Sequence, residues 1–255
     1  MKQPRYITAW CTDIGIQKET NQDSALLMQA ETVVGSVLLA VLCDGMGGLA
    51  KGEVASAAVI RAFREWFRQE LPGMLGETDF PQILSQSWNR VIHHMNVQIA
   101  DYGSSAHIGL GTTVTAMLIV EDQYYIANVG DGRVYLLEDQ IFQLTHDQTF
   151  VQKEIDAGRM TFEQATQDAR RSVLLQCVGA SPVVNPDYLS GRITRGQKYL
   201  LCCDGFRHVI SPQEIYETLQ GTMSQEEMES GIRYLIELNK QRQEMDNITA
   251  LMIAI

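Results

Sequence analysis

A chain of 255 residues with 45% hydrophobic, 20% charged and 7% aromatic side chains can bury a sizeable core, which excludes a disordered, collagen-like or low-complexity protein. Thirty-one acidic residues against 20 Lys plus Arg give a formal net charge of -11, and a field of that sign repels nucleic acid and anionic lipid, so neither is expected as a partner. The N-terminal MKQPRYITAW lacks the apolar stretch of a secretory signal. The longest nearly apolar run, Val33 to Cys43, is about half of the ~20 residues that cross a bilayer and ends at an aspartate, so no membrane span is expected. Five cysteines, Cys11, Cys43, Cys177, Cys202 and Cys203, lie in apolar segments with no CxxC pair. They read as small buried hydrophobes in a reducing, cytoplasmic setting.

No linker, repeat or block of like charge divides the sequence, so one domain over 1–255 is expected. Tyr6 to Cys11, Ser24 to Gln29 and Val33 to Cys43 read as strands joined by polar turns. Residues 51–71 change period: Val54, Ala57, Ile60, Phe63, Phe67 and Leu71 recur every three or four, with Arg61, Arg64, Glu65 and Arg68 opposite. Residues 82–101 repeat the device through Leu84, Trp88, Val91, Met95 and Ile99, with Pro81 as a start signal. The period then returns to two in TTVTAMLIV, YYIANV, RVYLL and IFQL, whose short polar separators predict a four-stranded antiparallel meander. Residues 147–178 are polar and helix-compatible, a surface excursion. The strand KYLLCC, helices over Pro212 to Leu219 and Glu226 to Arg242, and the strand ITALMIAI complete the chain. Helices that cluster before and after antiparallel strands, without alternating with them, indicate an α+β sandwich of layers.

The aspartates are informative by position. Asp44 follows SVLLAVLC and precedes GMGG; Asp204 follows KYLLCC; Asp131 sits in VGDGR between two strands; Asp246 immediately precedes the last strand; Asp23 closes NQD before SALLM. Any one of them is an ordinary turn residue. Together they place five carboxylates at strand rims, and carboxylates that share one cleft repel unless cations neutralise them. The set is all oxygen, with no His or Cys among it, which favours Mg²⁺ or Mn²⁺ over zinc or copper. Glycines after Asp44 would let the Gly45 carbonyl come close enough to join.

The ordered motifs TDIGIQKETNQDS, VLCDGMGGLAKGEVAS, GTTVTA, ANVGDGRVY, LLCCDGF and MDNITALMI resemble the metal-dependent Ser/Thr protein phosphatases of the PP2C (PPM) family, bacterial branch, from Thr12 to Ile255. The resemblance implies a four-layer αββα sandwich, with two antiparallel sheets flanked by helix pairs and a binuclear metal cleft at one end. It implies two core Mn²⁺ or Mg²⁺ ions held by Asp23, Asp44, the Gly45 carbonyl, Asp204 and Asp246, and a third ion where Asp131 joins Asp204. Asn247 and Thr249 would support Asp246, and the excursion over about 147–178 would be a flap over the cleft that selects substrate. The implied activity is hydrolysis of phosphoserine and phosphothreonine in proteins by a metal-activated water, without a phosphoenzyme. Implied partners are phosphorylated proteins, substrates of a cognate Ser/Thr kinase. The apolar helix faces are assigned to the core, so a monomer is expected.

Four departures qualify the likeness. Lys18 stands where the family pattern GxxRxxN has the phosphate-gripping arginine, so a point charge replaces a planar fork at the expected phosphate contact. Met46 stands in DGMGG where eukaryotic relatives carry a histidine, Gly132 replaces a serine common in VGDSR, and Gln148 replaces a flap histidine. The histidines read as structural or exposed, with a small claim to the site kept by His146, near the flap, and His208, near Asp204. The alternative reading is a phosphatase-like binding module, weak or inactive in catalysis.

Overall fold

The computed structural model describes residues 6–46, 51–222 and 224–255. The chain opens with β1 (Ile7–Asp13), β2 (Ser24–Thr32), β3 (Gly35–Cys43) and the short β4 (Gly45–Met46). Helices α1 (Gly52–Gln69), α2 (Leu71–Met74) and α3 (Phe80–Ala106) follow, then β5 (Gly111–Thr112), β6 (Val114–Val120), β7 (Gln123–Val129), β8 (Arg133–Leu137) and β9 (Ile141–Gln143). Two small helices, α4 (Phe150–Asp156) and α5 (Phe162–Gln167), precede β10 (Asp187–Arg192) and β11 (Lys198–Cys202). Helices α6 (Pro212–Leu219) and α7 (Gln225–Gln241) lead to β12 (Ile248–Ala254).

The strands form two five-stranded antiparallel sheets, ordered β1-β12-β11-β8-β9 and β10-β7-β6-β3-β2, with a separate two-stranded ladder of β4 and β5. The unbroken apolar runs of β3 and β6 have a physical cause: both strands are buried on both faces, so neither needs polar alternation. Along β3, Leu38, Ala40 and Leu42 belong to the core between the sheets. Val37, Leu39, Val41 and Cys43 face α1 and α3 instead. On the other side Ile215, Leu219, Met228, Ile232 and Leu235 of α6 and α7 pack against the first sheet. The result is the expected α-β-β-α layering.

Two expectations need correction. The four strands after Gly111 are not one meander: β6 and β7 lie in one sheet and β8 and β9 in the other, so the VGDGR turn is a crossing between layers. Short polar separators look alike in sequence whether the next strand pairs beside the last or leaves for the facing sheet. The buried stripe of α1 is Ala55, Val59, Phe63, Trp66 and Phe67, so the predicted Phe63 and Phe67 hold while Val54, Ala57 and Ile60 are only partly buried, a rotation of the first turns of the predicted face. Trp66 anchors the stripe, since its ring lies 5.6 Å from Trp88 of α3 and its Nε1 donates to Ser87 Oγ at 2.9 Å.

The excursion over 147–178 is tied down at both ends. Thr112 and Val178 exchange backbone hydrogen bonds at 2.9 Å, Leu175 N donates to Gln148 O at 2.8 Å, and Phe150 N donates to Val173 O at 2.8 Å. Between these anchors α4 and α5 start at Thr149 and Thr161, whose hydroxyls accept from Gln152 N and Gln164 N. Among the described residues no helix is long and apolar enough to cross a membrane.

Candidate active site

Antiparallel strands begin and end alternately at a given rim, and this chain places an aspartate there on five passes. Ser24 pairs with Cys43, so Asp23 and Asp44 come next beyond the β2–β3 ladder, across from one another. Cys202 pairs with Arg133, which sets Asp204 opposite Asp131 two steps beyond the β8–β11 ladder. Cys202 also pairs with Ala250, bringing Asp246 to the same end. The two sheets thus deliver all five predicted carboxylates to one cleft, where Asp44 feels the charges of Asp23, Asp204, Asp246 and Asp131.

Backbone contacts fix this arrangement. Asp44 N donates to Thr113 Oγ1 at 2.9 Å, while Asp44 O accepts from Thr112 Oγ1 at 2.9 Å and Thr113 N at 2.8 Å. This gives the GTTVTA motif its work: it clamps the Asp44 peptide. Beside it, a Cβ on Gly45 would lie 2.3 Å from Gly52 O and 2.5 Å from Gln22 O, so only glycine lets the first turn of α1 close on this loop. Gly47 and Gly48 of the same motif lie outside the described residues. Asn247 Oδ1 accepts from Gln22 N at 2.9 Å, and its Nδ2 donates to Ile14 O at 2.9 Å and Thr20 O at 3.2 Å. Asn247 therefore pins the loop that carries Lys18. Thr249 Oγ1 meets Thr12 Oγ1 at 2.7 Å, tying the outer strand beside it.

The carboxylates are under-satisfied for their burial. Both oxygens of Asp23 and Oδ1 of Asp204 are shielded from solvent without a hydrogen-bond partner. Burial and then the neighbouring carboxylates push Asp44 well up and raise Asp23 to about 7. Burial also raises Asp131 to about 7, with Asp204 adding to it. Asp204 goes the other way: burial acts to raise it, but His208 and Arg207 outweigh that and hold it below its ordinary value. Orphaned buried oxygens beside mutually repelling hard donors fit divalent cations.

Arg207, Glu244 and Cys203 escaped the sequence reading, and His208 had only its nearness to Asp204 in the chain to mark it. Arg207 Nη2 donates to Asp131 O at 2.8 Å and to Asp131 Oδ2 at 3.2 Å. His208 Nε2 lies 3.3 Å from Asp204 Oδ2 and its Nδ1 lies 3.4 Å from Glu244 Oε2. Burial works against its charge, yet the bond to Glu244 and the field of Asp204 hold it above its usual range. The expectation that no Cys stands among the acids is also corrected, since Cys203 Sγ lies within 4.8 Å of carboxylate oxygens of Asp23 and Asp44. Its thiol is pushed well up by burial and by those acids, so it stays protonated, and it accepts from Thr249 N at 3.1 Å.

Lys18 reaches the cleft mouth, where Nζ lies 2.7 Å from Asp246 Oδ1. Burial acts to lower its pKa, but the bond to Asp246 and the charges of Asp44 and Asp204 raise it above the ordinary value. Gln148 is buried in the turn under the flap. Its Oε1 accepts from Gly130 N and Gln176 Nε2, both at 2.8 Å, and its Nε2 donates to Asp187 Oδ2 at 2.8 Å. A cavity of about 470 Å³ lies beneath the flap helices, floored by Asp131, Arg207 and His208 and walled by Val151, Ile155 and Phe162.

The family profile described as protein phosphatase 2C matches residues 16–244. The chain belongs to the protein phosphatase 2C family. A putative protein phosphatase 2C-type of Streptococcus pyogenes is 32% identical over 95% of this chain and 94% of its own length. The serine/threonine protein phosphatase PstP of Mycobacterium tuberculosis is 35% identical over 94% of this chain, which spans 43% of that protein's length. Among solved structures, the catalytic domain of the serine threonine protein phosphatase PstP in complex with two manganese ions is similar with TM-score 0.79 at 31% identity, covering 98% of this chain and 97% of that one. Protein phosphatase 2C membership accounts for the layered fold and for the rim at which the acids gather.

Proposed function

We propose that this chain is a metal-dependent protein phosphatase that hydrolyses phosphoserine and phosphothreonine in proteins, acting as a single domain over 1–255. The observation that carries the reading is the convergence of five aspartates from two sheets on one cleft in which three carboxylate oxygens, two of Asp23 and one of Asp204, lack any partner. Asp23, Asp44, the Gly45 carbonyl, Asp204 and Asp246 would hold two core ions, Mn²⁺ or Mg²⁺. When bound, such a pair supplies a water acidic enough to act as nucleophile near neutral pH and offsets charge on the phosphoryl group.

The rest of the chemistry belongs to side chains already in place. The acids that hold the cations are braced from behind: Thr112 and Thr113 fix Asp44, and His208, itself bonded to Glu244, fixes Asp204. Lys18, at the mouth of the cleft, is positioned to take the substrate phosphate as a point charge. None of the buried cysteines serves as nucleophile, because burial holds the thiols of Cys43, Cys202 and Cys203 protonated. The flap over 147–178, roofing the cavity next to Asp131 that is lined by both charged and apolar side chains, would select the residues flanking the phosphorylated one. The relatives' names support phosphoproteins as substrates, and the manganese-bound PstP domain supports a divalent cofactor. A cytoplasmic monomer that opposes a Ser/Thr kinase completes the reading.

The test is phosphate release from a phosphothreonine peptide with and without Mn²⁺, in the wild type and in Asp204→Asn. Mn²⁺-dependent release that the substitution abolishes is the expected result. A folded wild type that binds Mn²⁺ and the peptide without releasing phosphate would leave a binding module in its place.

A further inference from the structure

We propose that Arg207 is a built-in cation standing in for a third metal ion at Asp131, so that the cleft takes up two divalent ions and no more. The inference rests on the acid cleft being a metal site, and it concerns only the acid set apart from the core pair. Asp131 differs from Asp23 in that its carboxylate is already occupied. Arg207 Nη2 lies 3.2 Å from Asp131 Oδ2 while donating to the same residue's carbonyl at 2.8 Å, two contacts that fix the guanidinium against the turn between the sheets.

That guanidinium faces a second acid through the same nitrogen, and its Nε is buried without a hydrogen-bond partner. Its Nη2 lies 3.4 Å from Asp147 Oδ2, and Asp147 is gripped by Arg133 through Nε at 2.9 Å and Nη2 at 2.7 Å. The Arg207 side chain is 10% exposed and those of Asp131 and Asp147 are 7%. Two buried acids and two buried arginines therefore balance with no further cation. Asp23, Asp44, Asp204 and Asp246, in contrast, form ion pairs among the described residues only with Lys18 and His208, and Arg207 reaches Asp204 through its field alone.

The sequence makes this local. Arg207 N donates to Asp204 O at 2.9 Å in the turn that leaves β11, so the residue that would share a third ion with Asp131 is followed, three positions on, by an arginine folded back onto Asp131. A guanidinium does not deprotonate in proteins, so it cannot make way by losing its charge. For it to swing out would strand the buried Asp131 carboxylate without its ion-pair partner, leaving Asp147 to Arg133 alone, which is strongly unfavourable. A divalent ion at Asp131 would have to sit against that fixed positive charge.

The experiment is metal stoichiometry, read by calorimetric titration with Mn²⁺ and by metal analysis after equilibrium dialysis, independently of turnover. The wild type is expected to bind two ions, Asp131→Asn still two, and Arg207→Met, which keeps the bulk and removes the charge, three. The added ion should disappear in the Arg207→Met, Asp131→Asn double variant. Three ions in the wild type with one lost in Asp131→Asn would overturn the proposal, as would a folded Arg207→Met that gains none. If Arg207→Met does not fold, the comparison of wild type with Asp131→Asn decides alone. A wild type that binds no Mn²⁺ at all sinks the metal-dependent reading itself.

Discussion

Lys18 Nζ sits 2.7 Å from Asp246 Oδ1, so a lysine at the mouth of the cleft touches an acid assigned to the core ions. The contact puts the cation within reach of a phosphate bound at those acids, on a flexible stem able to let go of Asp246 when an ion takes its place. Arginine at this position would offer a two-bond fork. Lys18→Arg is expected to lower KM for a small phosphoester about three- to tenfold, in line with the gain from a bidentate charge-assisted contact, and to leave Mn²⁺ affinity unchanged. Equal KM values in steady-state kinetics would remove Lys18 from phosphate binding.

Neutralising one of the repelling acids should have opposite effects with and without metal. Asp44→Asn is expected to raise the melting temperature of the metal-free protein, because burial and the neighbouring acids penalise a carboxyl at this position and an amide escapes that penalty. It should also shrink the stabilisation by Mn²⁺, which for a ligand at 100 times its Kd is about 2.7 kcal/mol. Thermal melts of both forms with chelator and with Mn²⁺ check this, and an unchanged Mn²⁺ shift in Asp44→Asn would take that residue out of the metal site.

Asp147 offers a pH signature away from the core acids. Burial acts to raise it, but Arg207 and Arg133 prevail and hold it below its ordinary 3.8. A depressed carboxyl contributes stability that is present above the ordinary value and lost as pH falls through the depressed one. Asp147→Asn should therefore cost about 3–5 kcal/mol at pH 7, because Arg133 loses its counter-charge and Arg207 loses one of two. The gap to the wild type should narrow below 3.8. Urea unfolding of both proteins at pH 7 and at pH 3 measures it; a gap that is the same at both would show that the carboxyl carries no such linkage.

The crossing between the sheets tests a departure from the family pattern. A Cβ on Gly132 would lie 2.2 Å from Thr115 Oγ1, which donates to Asn128 Oδ1 at 2.7 Å. Here the threonine hydroxyl fills the room that a serine at 132 would need. Gly132→Ser is expected to destabilise by about 1–3 kcal/mol through overpacking. In the Thr115→Ala background the same change should cost clearly less, and a double-mutant cycle that shows no coupling would refute the crowding.

Much of this was legible in the sequence because its signals are local and repeated. The apolar runs of β3, β6, β11 and β12, the capped starts of α6 and α7 and the aspartates at strand ends all follow from neighbours in the chain. The edge strand β10 did not announce itself, since DYLSGR is largely exposed and pairs only with β7. Arg207 and Glu244 carry no signal in the sequence and His208 only its nearness to Asp204, because their role arises when β8, β11 and β12 converge. Cys203 was read correctly as buried but not as a neighbour of Asp23 and Asp44, because that proximity joins three strands from two sheets.

Strand β3 belongs to both hydrophobic clusters through alternate residues and ends one step before Asp44. A loosening of either layer therefore travels along a single rigid rod to the reactive end. Conservative truncations such as Leu39→Ala, remote from any phosphoester, should blunt turnover while the molecule still melts cooperatively, making catalysis the more sensitive gauge of how well its interior is packed.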